Sequence, residues 1–194
     1  MKKILMMTVV LCSWMTMTVF TACGSDDDET PADSKALVIN LDSVVIKPYL
    51  AFGSSVADAE QYIKDTFSDY EAWESGELEP YDQEDAPRTY LKEYVNGNRS
   101  MSFCFDNADG TNLVLVSYDY FFPVSKEPVM AELERNGFVY KGEVRFADYN
   151  ADHCYLYLSA DGTLEVQFST WKKDGGSWAL SFQPFDKNDL NHLI

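Results

Sequence analysis

The chain has 194 residues, with 15 basic and 32 acidic side chains and a formal charge of −17 at pH 7. At 46% apolar and 14% aromatic it can bury a real core, which excludes wholesale disorder. A surface this negative repels phosphate backbones, because nucleic-acid affinity comes mostly from Lys and Arg displacing counterions, so nucleic acid is excluded as a partner.

Residues 1–22 read as a lipoprotein signal peptide. Lys2 and Lys3 form the positive n-region, Ile4 to Phe20 the apolar h-region, and Phe20-Thr21-Ala22-Cys23 the processing site, which makes Cys23 the lipidation residue. The alternative, a membrane-spanning helix, needs roughly 20 apolar residues. The run here is 17 long and diluted by Thr8, Ser13, Thr16 and Thr18. After Cys23 come Gly24-Ser25 and then Asp26-Asp27-Asp28-Glu29. This start resembles that of surface-exposed lipoproteins of Bacteroidota, with Phe20 standing where Leu or Val is commoner. The resemblance implies an outer-membrane lipid anchor with the protein facing the cell exterior. Residues 23–35 form an acidic tether, and 36–194 the folded domain. Losing the signal removes two lysines and no acid, leaving 13 bases against 32 acids, a charge of −19.

Two segments have helix logic. Ser55 and Asp58 make a capping pair, followed by Val56, Ala59, Ile63, Phe67 and Tyr70 at spacings of three and four, which predicts a helix over 55–71. A second helix starts at Ser125, carries Pro128 in its first turn with Val129, Met130 and Leu133, and stops at Asn136-Gly137. Phe138 is then expected to fold back on Leu133. Strands are predicted at 37–46, 88–95, 101–106, 112–121, 138–146, 153–159, 163–170 and 178–182, joined by short Gly, Asn and Asp turns. Asp69 to Asp85, with eight acids and no base, reads as a solvated acidic insert.

Ala-Asp-Gly-Thr occurs at 108–111 and again at 160–163, each time between two predicted strands. At that offset of 52, Phe103 aligns with Tyr155 and Phe105 with Tyr157, which suggests a duplication with repeats of about 36–122 and 123–194. The expected fold is α+β: tandem helix-plus-antiparallel-sheet repeats, forming one largely continuous antiparallel sheet with helices on one face. A three-residue turn in each Ala-Asp-Gly hairpin puts Cys154, Leu156, Leu158, Cys104 and Val116 under the helices. Phe103, Phe105, Tyr155 and Tyr157 then lie on the opposite face, as a candidate binding face. This architecture resembles the β-lactamase-inhibitor-protein-like fold, whose sheet presents its helix-free side to a protein partner. Lys47-Pro48-Tyr49-Leu50-Ala51-Phe52-Gly53-Ser54-Ser55 is similar to the helix entry of Bacteroidota lipoproteins with such repeats. The resemblance implies a fold and no activity.

Catalytic and metal signatures are missing. The two histidines, His153 and His192, have no further ligand at metal spacing. His153 and Cys154 are neighbours on one strand and must face opposite ways. Cys104 and Cys154 read as two buried thiols, with a disulfide the alternative for an exported chain. Residues 148–152 have the alternating oxygens of a calcium loop but lack its Gly and its Glu, where His153 and Ser159 stand. No nucleophile elbow, phosphate loop or zinc pattern occurs, and no cofactor is implied. Trp171 and Trp178 flank the turn 172–176 and Trp73 borders the acidic insert, which makes the three indoles a candidate aromatic rim. The expected function is non-enzymatic binding of a protein or glycan ligand. A polysaccharide or peptidoglycan hydrolase using Glu77 or Asp85 near Trp73 is one alternative, and an accessory subunit of an envelope assembly is another.

Overall fold

The computed structural model describes residues 37–78, 89–144, 151–172 and 176–185. Cys23, the tether and the signal peptide lie outside these residues, as do Asp85 and the side chain of Glu77.

Helix α1 covers Val56–Thr66 and α2 covers Lys126–Arg135. The capping pair forms as expected: the Asp58 amide donates to Ser55 Oγ and the Ser55 amide to the Asp58 carboxylate. These bonds satisfy amides that the helix start leaves open, and the Ser55 hydroxyl, donating to the carboxylate at 2.7 Å, together with the Ser55 amide holds the Asp58 carboxyl below its usual range. Helix α1 ends five residues earlier than predicted, at Thr66. Phe67 and Tyr70 leave the helical path and instead meet edge-on, with ring centroids 5.7 Å apart. At the end of α2, Gly137 takes φ 86°, and Phe138 and Leu133 are both buried in the core, as the Gly stop implies.

Ten strands are present among the described residues: β1 (Ile39–Leu41), β2 (Val44–Ile46), β3 (Glu71–Leu78), β4 (Thr89–Asn96), β5 (Arg99–Phe105), β6 (Leu113–Tyr120), β7 (Phe138–Val144), β8 (His153–Ser159), β9 (Leu164–Trp171) and β10 (Ser177–Pro184). The predicted first strand is thus a hairpin, β1 with β2, turning at Asp42-Ser43 and forming a separate two-stranded sheet. Its Asn40 amide donates to the buried Glu132 carboxylate of α2, which also meets Arg135. Ile39, Leu41, Val44 and Ile46 enter the same core as both helices.

The other eight strands form one antiparallel sheet in the order β3-β4-β5-β6-β10-β9-β8-β7. Two four-stranded meanders, β3 to β6 and β7 to β10, are joined through their last strands, with Leu180 opposite Tyr118. The fold is therefore α+β, with a large continuous antiparallel sheet. The acidic insert begins as β3, an edge strand. Its charges are tolerated there because Glu71 and Glu74 are exposed, and charged, bulged edges resist pairing with other chains. The two Ala-Asp-Gly-Thr turns occupy different places in the two meanders, one between β5 and β6, the other between β8 and β9. An offset of 52 thus carries the third strand of one meander onto the second strand of the other.

The face assignment needs correction. Leu158 pairs with Glu165, Leu156 with Gln167 and Cys154 with Ser169, one residue out of the expected register. The loop is four residues long because Ser159 Oγ takes the amides of Thr163 and Leu164 while Asp161 accepts from the Ser159 and Thr163 hydroxyls. In the first hairpin a bulge after Cys104, with Asn112 at φ 67°, has the same effect. Strands β5 and β8 are turned over relative to expectation. Phe103, Phe105, Tyr155 and Tyr157, expected on the binding face, are at most 5% exposed and belong to the core under the helices. Tyr49 meets Phe103 edge-on, and Lys126 of α2 stands over the Tyr155 ring. Cys104 and Cys154 lie on the helix-free face. Both are free thiols, on strands four places apart, about 19 Å at the usual strand spacing and beyond disulfide reach.

Candidate crevices around Trp171

With the aromatic face occupied by core, the helix-free face is defined by register. One row across it reads Glu93, Ser102, Ser117, Ser181, Gln167, Leu156, and the next Val95, Ser100, Asp119, Ala179, Ser169, Cys154. Most of these side chains are small or polar, with Leu156 and Val95 the larger apolar ones, and the Ser181 hydroxyl donates to Ser117 Oγ at 3.1 Å. Glu165 is buried on this face and accepts from Gln167 and Gln183 at 2.6 and 2.9 Å.

At the end of this face where β6 finishes and β9 turns into β10, a crevice of about 360 Å³ is lined by Asp119, Phe121, Trp171 and Ser177, among others. Ser177 pairs with Trp171 and Ala179 with Asp119, which puts all three lining side chains on one face. Phe121 follows β6 and is 60% exposed. Burial pushes the Asp119 carboxyl up to about 6, nearby Glu93 adds to the shift and the Ser117 hydroxyl opposes it. No basic side chain lines this crevice among the described residues.

Trp171 also lines a second crevice of about 560 Å³, on the side of Lys126, His153, Tyr155 and Lys172. His153 Nδ1 lies 2.8 Å from Glu143 Oε1, and its ring stacks on Tyr155 with centroids 5.9 Å apart. Cys154 faces the opposite way from His153, as strand alternation requires, so no thiol–imidazole pair exists. A larger cavity of about 670 Å³ lies between the segment before β1 and α1, near Lys47, Tyr62 and Asp65.

Of the three predicted rim indoles, Trp171 and Trp178 line the smaller crevice together and Trp73 does not join them. Trp73 is 71% exposed on β3, five strands or about 24 Å from β9. Trp178 pairs with Thr170 while Trp171 pairs with Ser177, so the two indoles leave the hairpin on opposite faces. Trp178 is 1% exposed and stacks on Tyr120 at 4.3 Å in the core, with its Nε1 unpartnered among the described residues. Trp171 is the one of the three that lines both described crevices, while Trp178 contributes to the smaller one alone. Asp119, Phe121, Lys126 and Lys172 were missed by sequence reasoning. The alternation Tyr118-Asp119-Tyr120 was the available signal for the first, since an acid between two core tyrosines must sit on the other face.

Among the described residues no cluster of three metal-binding side chains occurs, and no helix is long and apolar enough to cross a membrane. Asp152 of the expected calcium-like stretch instead accepts the Lys172 amide at 2.5 Å, and residues 148–150 lie outside the described part. Comparison with family models, with curated proteins and with solved structures returns no match to this chain.

Proposed function

We propose that the chain is a lipid-anchored protein of the cell envelope, tethered to the outer membrane through Cys23 and facing the cell exterior, that binds a glycan without transforming it. The observation that carries binding is the pair of crevices on either side of Trp171. Concave sites of a few hundred Å³ with an aromatic wall and a few polar groups suit a small polar ligand, whereas protein partners usually need a wide, flatter patch. This favours glycan over protein among the ligand classes that the sequence leaves open. The helix-then-meander order, met twice, supports tandem repeats at about 36–122 and 123–194, similar to the β-lactamase-inhibitor-protein-like fold.

Two experiments test the reading. Cys23→Ala should move the protein out of the membrane fraction; retention there contradicts the anchor. The purified chain should retain at least one oligosaccharide from a panel of neutral and acidic glycans, and retention of none contradicts glycan binding. The hydrolase alternative has one observation in its favour, the raised Asp119 carboxyl beside Trp171, since catalytic acids are often tuned this way. New reducing ends in the same panel would establish it in place of simple binding.

A further inference from the structure

In a chain with about two acids for every base, the described lining of the larger Trp171 crevice contains Lys126, His153 and Lys172 and no carboxylate. Two acids touch residues of this lining: Glu143 meets His153, and Asp152 accepts the Lys172 backbone amide. Neither Lys126 nor Lys172 makes an ion pair with a described residue. Lys126 is exposed, and its ammonium stands 5.4 Å from the centroid of the Tyr155 ring, a contact that biases it toward the crevice. A further carboxylate, Asp119, lies with the other crevice, on the helix-free face.

We propose that the larger crevice binds an acidic saccharide, whose carboxylate or sulfate meets Lys126 and Lys172 while a sugar ring rests on Trp171. Lysines without ion pairs in an otherwise anionic protein raise the local concentration of an anion that the rest of the surface repels. The Trp171 face supplies the apolar contact that a simple inorganic anion would lack. This rests on the glycan reading above and adds the charge of the sugar.

Calorimetric titration of the full lipoprotein in neutral detergent, using oligogalacturonate, a sulfated heparin oligosaccharide and a cello-oligosaccharide, tests it. One or both acidic probes should bind at least tenfold more tightly than the neutral one, with affinity falling as salt rises. Lys172→Ala and Lys126→Ala should each weaken the acidic probe by about tenfold, roughly the worth of one charged hydrogen bond. Lys172 is exposed and outside the core, so its variant remains informative if Lys126→Ala unfolds the protein. A carboxylate-only or sulfate-only response identifies the acidic group. Equal binding of neutral and acidic probes, unaffected by either lysine variant, overturns the acidic preference and leaves glycan binding standing. No binding of any probe by folded protein overturns both.

Discussion

Along one row across the sheet, the helix-covered face carries Tyr94, Met101, Tyr118, Leu180, Phe168 and Tyr155, while the same strands present Val95, Ser100, Asp119, Ala179, Ser169 and Cys154 on the other. The first row is large and aromatic and meets α1, α2 and the β1–β2 hairpin in one core. The second is smaller, two serines and an acid among Val95, Ala179 and Cys154, and burial disfavours ionisation of that acid. Bulk sits where layers pack, because burying an aromatic side chain contributes on the order of 2 kcal/mol or more. An aromatic stripe in this chain therefore marks the core, and the crevices lie at the strand ends where that stripe stops.

Substitutions can break this contrast. Phe103→Ala should cost about 3–5 kcal/mol in denaturant unfolding, because a ring with no exposed surface leaves a cavity between the sheet and α1. A loss under 1 kcal/mol would mean that the ring is not core. Asp119→Asn should act in the opposite direction. Its folded pKa of about 6 lies above the ordinary 3.8, so the folded state holds the proton more tightly and ionisation costs stability. That penalty is absent at pH 3, grows as pH rises through the window between 3.8 and about 6, and is complete at pH 7. The variant should gain about 2 kcal/mol at pH 7 and little near pH 4, measured as paired unfolding curves; equal effects at both pH values would remove burial as the cause. Tyr157→Phe should be the mildest change. The Tyr157 hydroxyl is buried without a partner among the described residues, so its removal should leave stability within about 0.5 kcal/mol or raise it. A clear loss would reveal a hydrogen bond to that oxygen.

Local signals carried much of the fold. The Ser55 and Asp58 cap, the Gly137 stop with Phe138 and Leu133 both in the core, and strand β8 at 153–159 were all legible, because each depends on residues within a few positions of one another. Strand β3 was not, since its acids read as a loop and only pairing with β4 makes it a strand. The orientation of β5 and β8 was lost to a single residue. A Ser159 hydroxyl that takes two amides lengthens one turn, a bulge shifts the other, and with a period of two each slip exchanges the faces. That slip presented the core as a binding face. The crevices were out of reach for a different reason: Asp119, Lys126, His153 and Trp171 come from four elements, and no spacing in the chain relates them.

The proposed ligand should depend on Trp171 and not on the buried aromatic row. Titration of the glycan bound by the wild-type chain into Trp171→Ala, with the thermal midpoint of the same sample recorded, tests it most directly. The expected result is at least a tenfold loss of affinity with a midpoint shifted by no more than about 3 °C, since Trp171 is only half-buried at a hairpin end. Wild-type affinity in Trp171→Ala would contradict it.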